Sequence, residues 1–294
     1  MSQELARFRV LLIGRGNAGK TTILKKLCGE TDVPIVRDRR GNLVSPVDSL
    51  NPSSERGNHD IEHEITYPSR EKFAFHDSCG LESGSDVEMQ RIADFIARRA
   101  KMSLENGLHA IWICIALDDS RPASRLFDIT TGEVTTIFVF TKFDALETLS
   151  YVALIRQGRS KRQANAASSE YAEHVFQEQW IPLLKVPNPP PPPPYHVRLK
   201  DLHKPGGSCQ GLTQITEQVL KTKNEELLRM FVMARRYALS DRLEYAVPKS
   251  VEYLLKIHAH GRDKMREELV KIVLSWMPHV YKANYSVRTI GTAI

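Results

Sequence analysis

The chain has 294 residues, of which 41% are hydrophobic and 26% charged, values that suit a soluble protein with a full hydrophobic core. Its four cysteines include no CxxC pair, which argues against a disulfide framework or a zinc site and favours a reducing compartment. No stretch has the roughly 18 apolar residues of a transmembrane helix, and the first ten residues lack the apolar core of a signal peptide. We therefore expect a cytoplasmic protein.

Apolar runs alternate with helical patterns along the first two thirds of the chain. The runs predict strands at 7–13, 60–67, 72–76, 108–117, 134–140 and 196–202. Amphipathic patterns predict helices at 19–28, 89–104, much of 146–186, and 209–220. This alternation predicts an α/β fold with a mostly parallel sheet of about six strands.

Two polar stretches interrupt these patterns. Residues 29–58, rich in Gly, Pro, Ser and Asp, predict a long mobile loop. Residues 187–194 (PNPPPPPP) predict a stiff polyproline II spacer, with docking of an SH3-like or WW-like module as the alternative.

Beyond residue 222 the pattern is wholly helical, so we predict a first domain at 1–222 and a small helical extension at 223–294. The first 220 residues contain 27 basic and 27 acidic residues, so the rest of the chain carries the whole net charge of +6. These basic helices could bind an acidic partner, an anionic membrane surface or RNA. We favour apolar faces packed on the first domain with solvated charges. No nucleic-acid-binding module is visible.

Residues 14–21 (GRGNAGKT) match the phosphate-loop pattern GxxxxGK[ST] without a mismatch, between a predicted strand and a predicted helix. In this pattern backbone N–H groups and the lysine, Lys20, hold the phosphates, and the following hydroxyl, Thr21, coordinates Mg²⁺. A chance match is the alternative. The predicted phosphate-binding residues are Gly14, Asn17, Ala18, Gly19, Lys20, Thr21 and Thr22.

Asp77-Ser78-Cys79-Gly80 fits the short pattern DxxG at the end of a predicted strand. Asp77 would hold Mg²⁺ through water, and the Gly80 N–H would contact the γ-phosphate. A simple Asp-Gly turn would also explain so short a match. A further Mg²⁺ ligand is expected in the loop before it, where we select Ser54 over Ser53 and Thr66.

Residues 141–144 (TKFD) end the strand 134–140 and fit [NT]KxD. The carboxylate of Asp144 would accept hydrogen bonds from N1 and the exocyclic amine of guanine, while the stem of Lys142 covers the base and Thr141 completes the motif. Adenine lacks this donor pair, so the motif favours GTP and GDP over ATP. After the last strand, residues 201–204 (DLHK) stand where GTPases often have Ser-Ala-Lys, so base contacts are predicted for Leu202, His203 and Lys204.

The P-loop GRGNAGKT and the order P-loop, DSCG, TKFD resemble the Era-like branch of the translation-factor-related GTPases. LHAIWICIALDDSRPAS, HDSCGLESG and FVFTKFD also resemble the predicted G domain-containing proteins common in fungi. The resemblance covers residues 7–222 and implies a P-loop NTPase fold of the G-domain type. It further implies GTP binding with slow hydrolysis, as a molecular switch or assembly regulator acting on an effector protein.

Two residues bear on catalysis by this resemblance. Asn17 matches an asparagine that coordinates K⁺ in some relatives, so Asn17 and Lys20 are the catalytic candidates, with loop capping as the alternative role of Asn17. Leu81 stands where Ras-like enzymes place a water-orienting glutamine, which implies slow hydrolysis. A guanine-nucleotide-binding interaction module without hydrolysis is the first alternative, and an ATP-using P-loop enzyme is the second.

Overall fold

The computed structural model describes residues 7–29, 31–44, 60–78, 85–119, 124–129, 131–184 and 195–235, and these form an eight-stranded sheet with helices. The strands are β1 (Phe8–Gly14), β2 (Ile35–Arg37), β3 (Leu43–Val44), β4 (Glu64–Thr66), β5 (Phe73–Asp77), β6 (Ala110–Ala116), β7 (Thr135–Thr141) and β8 (His196–Arg198). Their order is β3-β2-β4-β5-β1-β6-β7-β8. The strands from β5 to β8 in this order are parallel, and β2, β3 and β4 pair antiparallel at the other side.

Six α-helices accompany the sheet in the described residues: α1 (Lys20–Cys28), α2 (Asp86–Ala100), α3 (Phe143–Arg156), α4 (Lys161–Val175), α5 (Gln210–Lys223) and α6 (Glu225–Arg235). The chain divides into two compact units, 1–228 and 229–294. Only residues 229–235 of the second unit are described. The predicted spacer 187–194 and the extension beyond 235 lie outside the described residues.

The centre of the sheet is formed by β1 and β6, whose seven residues each are all buried. Such continuous apolar strands suit a parallel sheet that is covered on both faces. β7 is buried at five of its seven positions, with Thr136 and Phe138 only partly so. The prediction of an α/β fold with a mostly parallel sheet is therefore confirmed.

The predicted number of six strands is wrong, because the sheet has eight. The two additional strands, β2 and β3, lie within the segment 29–58 that was predicted to be a loop. They are three and two residues long, too short for a periodic signal. Pairing with β4 places Val36 opposite Ile65 and so buries it. The Asp38 carboxylate closes the turn between β2 and β3 by accepting from the Arg40 and Asn42 N–H groups.

Two buried histidines are held in the neutral form. His76, fully buried on β5, donates from Nδ1 to the Ile61 carbonyl oxygen at 3.0 Å. His109, just before β6, accepts the Arg9 N–H at Nδ1 and donates from Nε2 to the Leu104 carbonyl oxygen at 2.8 Å. Burial lowers the pKa of His76 to about 3 and that of His109 to about 4.

These histidines predict a stability that falls in mild acid. In the unfolded chain histidine takes up a proton near pH 6.5, whereas in the folded chain these two histidines stay neutral down to about pH 4. The contribution is therefore complete above pH 6.5 and decreases as pH falls, by about 1.4 kcal/mol per pH unit for each histidine. Urea unfolding at pH 6.5, 5.8 and 5.0 measures the slope. His109→Gln should reduce it by one histidine's share, while His203→Gln, at an exposed position, should leave it unchanged; equal slopes in both variants contradict this assignment.

Candidate nucleotide-binding site

The predicted site residues meet at one edge of the sheet. Because the carboxyl ends of parallel strands share an edge, Gly14 at the end of β1, Asp77 at the end of β5 and Thr141 at the end of β7 lie on the same side. In the sheet, β5 lies on one side of β1 and β6 on the other, so the strand order reverses at β1. This reversal of strand order is where ligands bind in open α/β sheets.

The loop 14–21 has the backbone shape of a phosphate-binding turn. Asn17 and Gly19 have positive φ angles of 63° and 83°, and Gly19 is the N-cap residue of α1. A Cβ at Gly14 would lie 2.6 Å from the Cys114 carbonyl oxygen, so only glycine fits there. The end of β1 thus lies tightly against β6, and the loop leads from there into the amino end of α1, which attracts anions.

Lys20 folds back over this loop. Its Nζ donates to the carbonyl oxygens of Gly14 at 2.8 Å and Arg15 at 3.1 Å, and it lies 3.7 Å from Asp77 Oδ1. The Lys20 side chain is only 8% exposed, against 28% for Asp77. The structure therefore brings together the ammonium and the carboxylate that the sequence predicted for the phosphate and Mg²⁺ sites. Thr21 is exposed and Thr22 half-buried in the first turn of α1. Gly80, Ser54 and Leu81 lie outside the described residues.

Thr141 connects the TKFD motif to the phosphate loop. Its Oγ1 donates to the Ala18 carbonyl oxygen at 3.0 Å and lies 3.4 Å from the Ile115 carbonyl oxygen. Thr141 and Ala18 are both buried. The hydroxyl thus fixes the distance between the phosphate loop and the TKFD motif. Thr141 is a buried connection between these two parts of the predicted site and not a surface residue.

The next residues of the motif are positioned by partners that the sequence analysis missed. Lys142 has a φ of 57°, and its Nζ donates to Asp118 Oδ2 at 2.9 Å. Asp144 Oδ1 accepts the Asp201 N–H at 2.9 Å. Asp118 follows β6 and Asp201 follows β8, so each loop at this edge supports one residue of TKFD. These two contacts form because β6, β7 and β8 lie side by side in the sheet, and no pattern in the sequence indicates them.

The loop 201–207 is a closed turn. Lys204 Nζ lies 2.7 Å from Asp201 Oδ1, and this hydrogen bond lowers the pKa of Asp201 and raises that of Lys204. The Lys204 carbonyl oxygen accepts Lys26 Nζ at 2.9 Å. His203 is exposed and Leu202 buried. Lys204 is therefore engaged with its own loop and α1, and the turn presents backbone beside Asp144.

Fold and loop define the class: an α/β protein with a phosphate-loop-type turn at the switch in strand order. No family model matches the chain, and no curated protein matches it. Solved structures similar to it include a mutant of S. thermophilus NFeoB bound to GDP, at 12% identity and TM-score 0.38, covering 93% of this chain and 91% of that one. Another is the G domain of the T. maritima FeoB iron transporter, at 12% identity and TM-score 0.34, covering 73% and 98%.

The cytosolic domain of T. maritima FeoB in its GMPPNP form is also similar, at 14% identity and TM-score 0.27, covering 94% of this chain and 98% of that one. At such identities and scores these similarities do not assign a function, which rests on this chain's own residues. Within the described residues, no helix is long and apolar enough to cross a membrane.

The close contact at Gly14 predicts a selective loss of stability. Gly14→Ala places a methyl group against the Cys114 carbonyl oxygen and should lower the free energy of unfolding by about 1–3 kcal/mol. Gly206→Ala is the control, because a Cβ there meets no atom within 4 Å, and it should change stability by less than about 0.5 kcal/mol. Urea unfolding measures both, and equal losses contradict the tight contact.

Proposed function

We propose that the chain binds GTP and GDP, with the phosphates on loop 14–21 and the base at Asp144. The observation that carries this proposal is the buried hydrogen bond from Thr141 Oγ1 to the Ala18 carbonyl oxygen. It joins the phosphate loop to the TKFD motif within one hydrogen-bond length, so that one ligand can reach both. Gly14, Asn17, Ala18 and Gly19 supply loop backbone, and Lys20, Thr21 and Thr22 supply the start of α1.

Guanine recognition rests on Asp144. One oxygen of its carboxylate accepts the Asp201 N–H, and that bond orients the carboxylate towards N1 and the exocyclic amine of the base. Lys142, held through Asp118, lays its stem along the base, and the backbone of 202–204 lies beside it. Adenine would offer the Asp144 carboxylate neither of these two donors, at a cost of about 1–3 kcal/mol.

Thr21 and Asp77 fit Mg²⁺, because a hydroxyl and a carboxylate are the hard oxygen ligands this ion takes alongside waters and phosphates. Asp77 lies beside Lys20, where the β- and γ-phosphates are expected. When bound, Mg²⁺ would neutralise charge on these phosphates. Ser54 is proposed as a further Mg²⁺ ligand, and the Gly80 N–H as a contact of the γ-phosphate. Both residues lie outside the described residues.

Hydrolysis is proposed to be slow. Lys20 and the loop amides stabilise charge on the γ-phosphate as water attacks in line. The aliphatic Leu81 cannot orient that water, so Asn17, through K⁺, is proposed to supply the missing positive charge. Leu81 also favours the second candidate function, a nucleotide-binding interaction module without hydrolysis.

We further propose that the chain belongs to the Era-like branch and resembles the fungal G domain-containing proteins. We also propose that it is cytoplasmic and acts on an effector as a switch or assembly regulator. A boundary between a domain at 1–222 and an extension at 223–294 is proposed as well, and the extension could meet an acidic partner or a membrane surface.

Titration with fluorescent GTP, GDP and ATP tests the binding proposal. GTP and GDP should bind roughly 5- to 150-fold more tightly than ATP, since the loss of the guanine donors at Asp144 costs about 1–3 kcal/mol. Lys20→Ala should weaken all three, and Asp144→Asn should shift preference to xanthosine nucleotides. Asp94→Asn, at an exposed position on α2, is the charge-matched control. Equal binding of ATP and GTP, or binding of neither, contradicts the proposal.

Phosphate release in KCl and in NaCl tests the role of Asn17. We expect faster GTP turnover in KCl, and loss of that difference in Asn17→Gly, because glycine keeps the positive φ of 63° and removes the side-chain oxygen. Nucleotide affinity is the control measurement and should change little. Equal wild-type rates in the two salts would remove the K⁺ role, and no turnover in either would favour the interaction module.

A further inference from the structure

A basic cleft that contains no residue of the predicted nucleotide site lies at the carboxyl-terminal end of α2. Its volume is about 420 Å³, within the roughly 300–1,000 Å³ typical of ligand pockets. One wall is formed by the connection from α2 to the amino end of β6, whereas the phosphate loop follows the carboxyl end of β1. We call it the arginine cleft, and its lining includes Arg39, Glu62, Arg98, Arg99, Met102 and Asn106.

The arginine cleft has more positive than negative charge. Its three guanidinium groups face a single carboxylate, which leaves a net charge of +2. This excess is local, because the first 220 residues of the chain contain 27 basic and 27 acidic residues. A ligand with two negative charges would therefore neutralise the cleft.

Glu62 shows how a carboxylate is held here. One of its oxygens pairs with Arg98 Nη2, and the other lies 3.8 Å from Arg99 Nη2. Planar guanidinium groups match the geometry of carboxylates. Arg39 is exposed and forms no ion pair with the described part of the chain. The cleft thus already holds one carboxylate, that of Glu62, and the guanidinium of Arg39 is available to bind a second one.

The surroundings of Arg99 disfavour its positive charge. Burial, and next the charge of Arg9, lower the pKa of Arg99, because both disfavour the charged guanidinium. Arg99 also donates from Nη1 to the Asn106 carbonyl oxygen at 2.9 Å, so its position is fixed. An additional anion at this point would offset the repulsion between the arginines.

We propose that the arginine cleft binds an acidic peptide segment of a partner protein, with two neighbouring carboxylate side chains. One carboxylate pairs with Arg39, and the other shares Arg98 and Arg99 with Glu62 or displaces it. Met102, 39% exposed, offers an apolar contact to the peptide. A nucleic-acid backbone would instead require cations spread along a surface, whereas these three arginines line a single cleft.

Fluorescence anisotropy of a labelled hexaglutamate peptide, titrated with the full chain, tests this proposal. Arg39→Gln should weaken binding roughly two- to fivefold, the range of a single exposed charge pair. Glu62→Gln should tighten binding, because it removes the internal competitor from Arg98 and Arg99. Arg91→Gln removes the same charge from an exposed position on the same helix and should leave the affinity unchanged.

Three results would overturn the proposal: no binding to the wild-type chain, equal weakening by Arg39→Gln and Arg91→Gln, or weaker binding by a folded Glu62→Gln variant. A double-stranded oligonucleotide that binds more tightly than the peptide, and is also weakened by Arg39→Gln, would assign the cleft to nucleic acid instead. If circular dichroism shows that the Glu62→Gln variant is unfolded, the peptide affinities of the Arg39→Gln and Arg91→Gln variants alone decide whether the proposal holds. The test uses nucleotide-free chain, so its outcome is independent of GTP binding.

Discussion

The hydrogen bond between the Thr141 hydroxyl and the Ala18 carbonyl oxygen determines how the carboxyl edge of the sheet is built. It connects residues 123 positions apart in the chain, and both residues are buried. Burying a hydroxyl or carbonyl group without a hydrogen-bond partner costs about 1–3 kcal/mol of stability. The hydroxyl at the end of β7 and the carbonyl in the loop before α1 avoid this cost by pairing with each other. The close approach of Gly14 to Cys114 holds the start of the same loop against β6.

The geometry of the TKFD motif follows from this anchor. Lys142 leaves β7 with a positive φ and starts α3, which brings Asp144 to the loop after β8. There the Asp201 N–H holds the Asp144 carboxylate, while Asp118 holds the Lys142 ammonium. Three neighbouring parallel strands thus each contribute one loop, and the loops restrict each other's side chains.

The two charged regions of the domain are organised by different physical means. At the phosphate loop, the charge of Lys20 is surrounded by carbonyl oxygens and Asp77, and backbone N–H groups at the start of α1 are available for an anion. In the arginine cleft the charge resides on side chains, and the single carboxylate of Glu62 leaves it unbalanced. The first arrangement suits an anion that is bound by backbone N–H groups, and the second suits a carboxylate ligand that approaches from solvent.

The sequence by itself determined the α/β class, the central strands β1, β6 and β7, and the contiguous motifs 14–21 and 141–144, because each depends on residues adjacent in the chain. It missed β2 and β3, which are too short to show a period and form only against β4. It also missed Asp118 and Asp201, whose roles arise where β6, β7 and β8 lie side by side. The arginine cleft, which joins the turn after β2, Glu62 and the end of α2, was likewise decided by tertiary structure. Local patterns fix backbone shape and strand burial, whereas contacts between loops depend on strand order, which no single segment encodes.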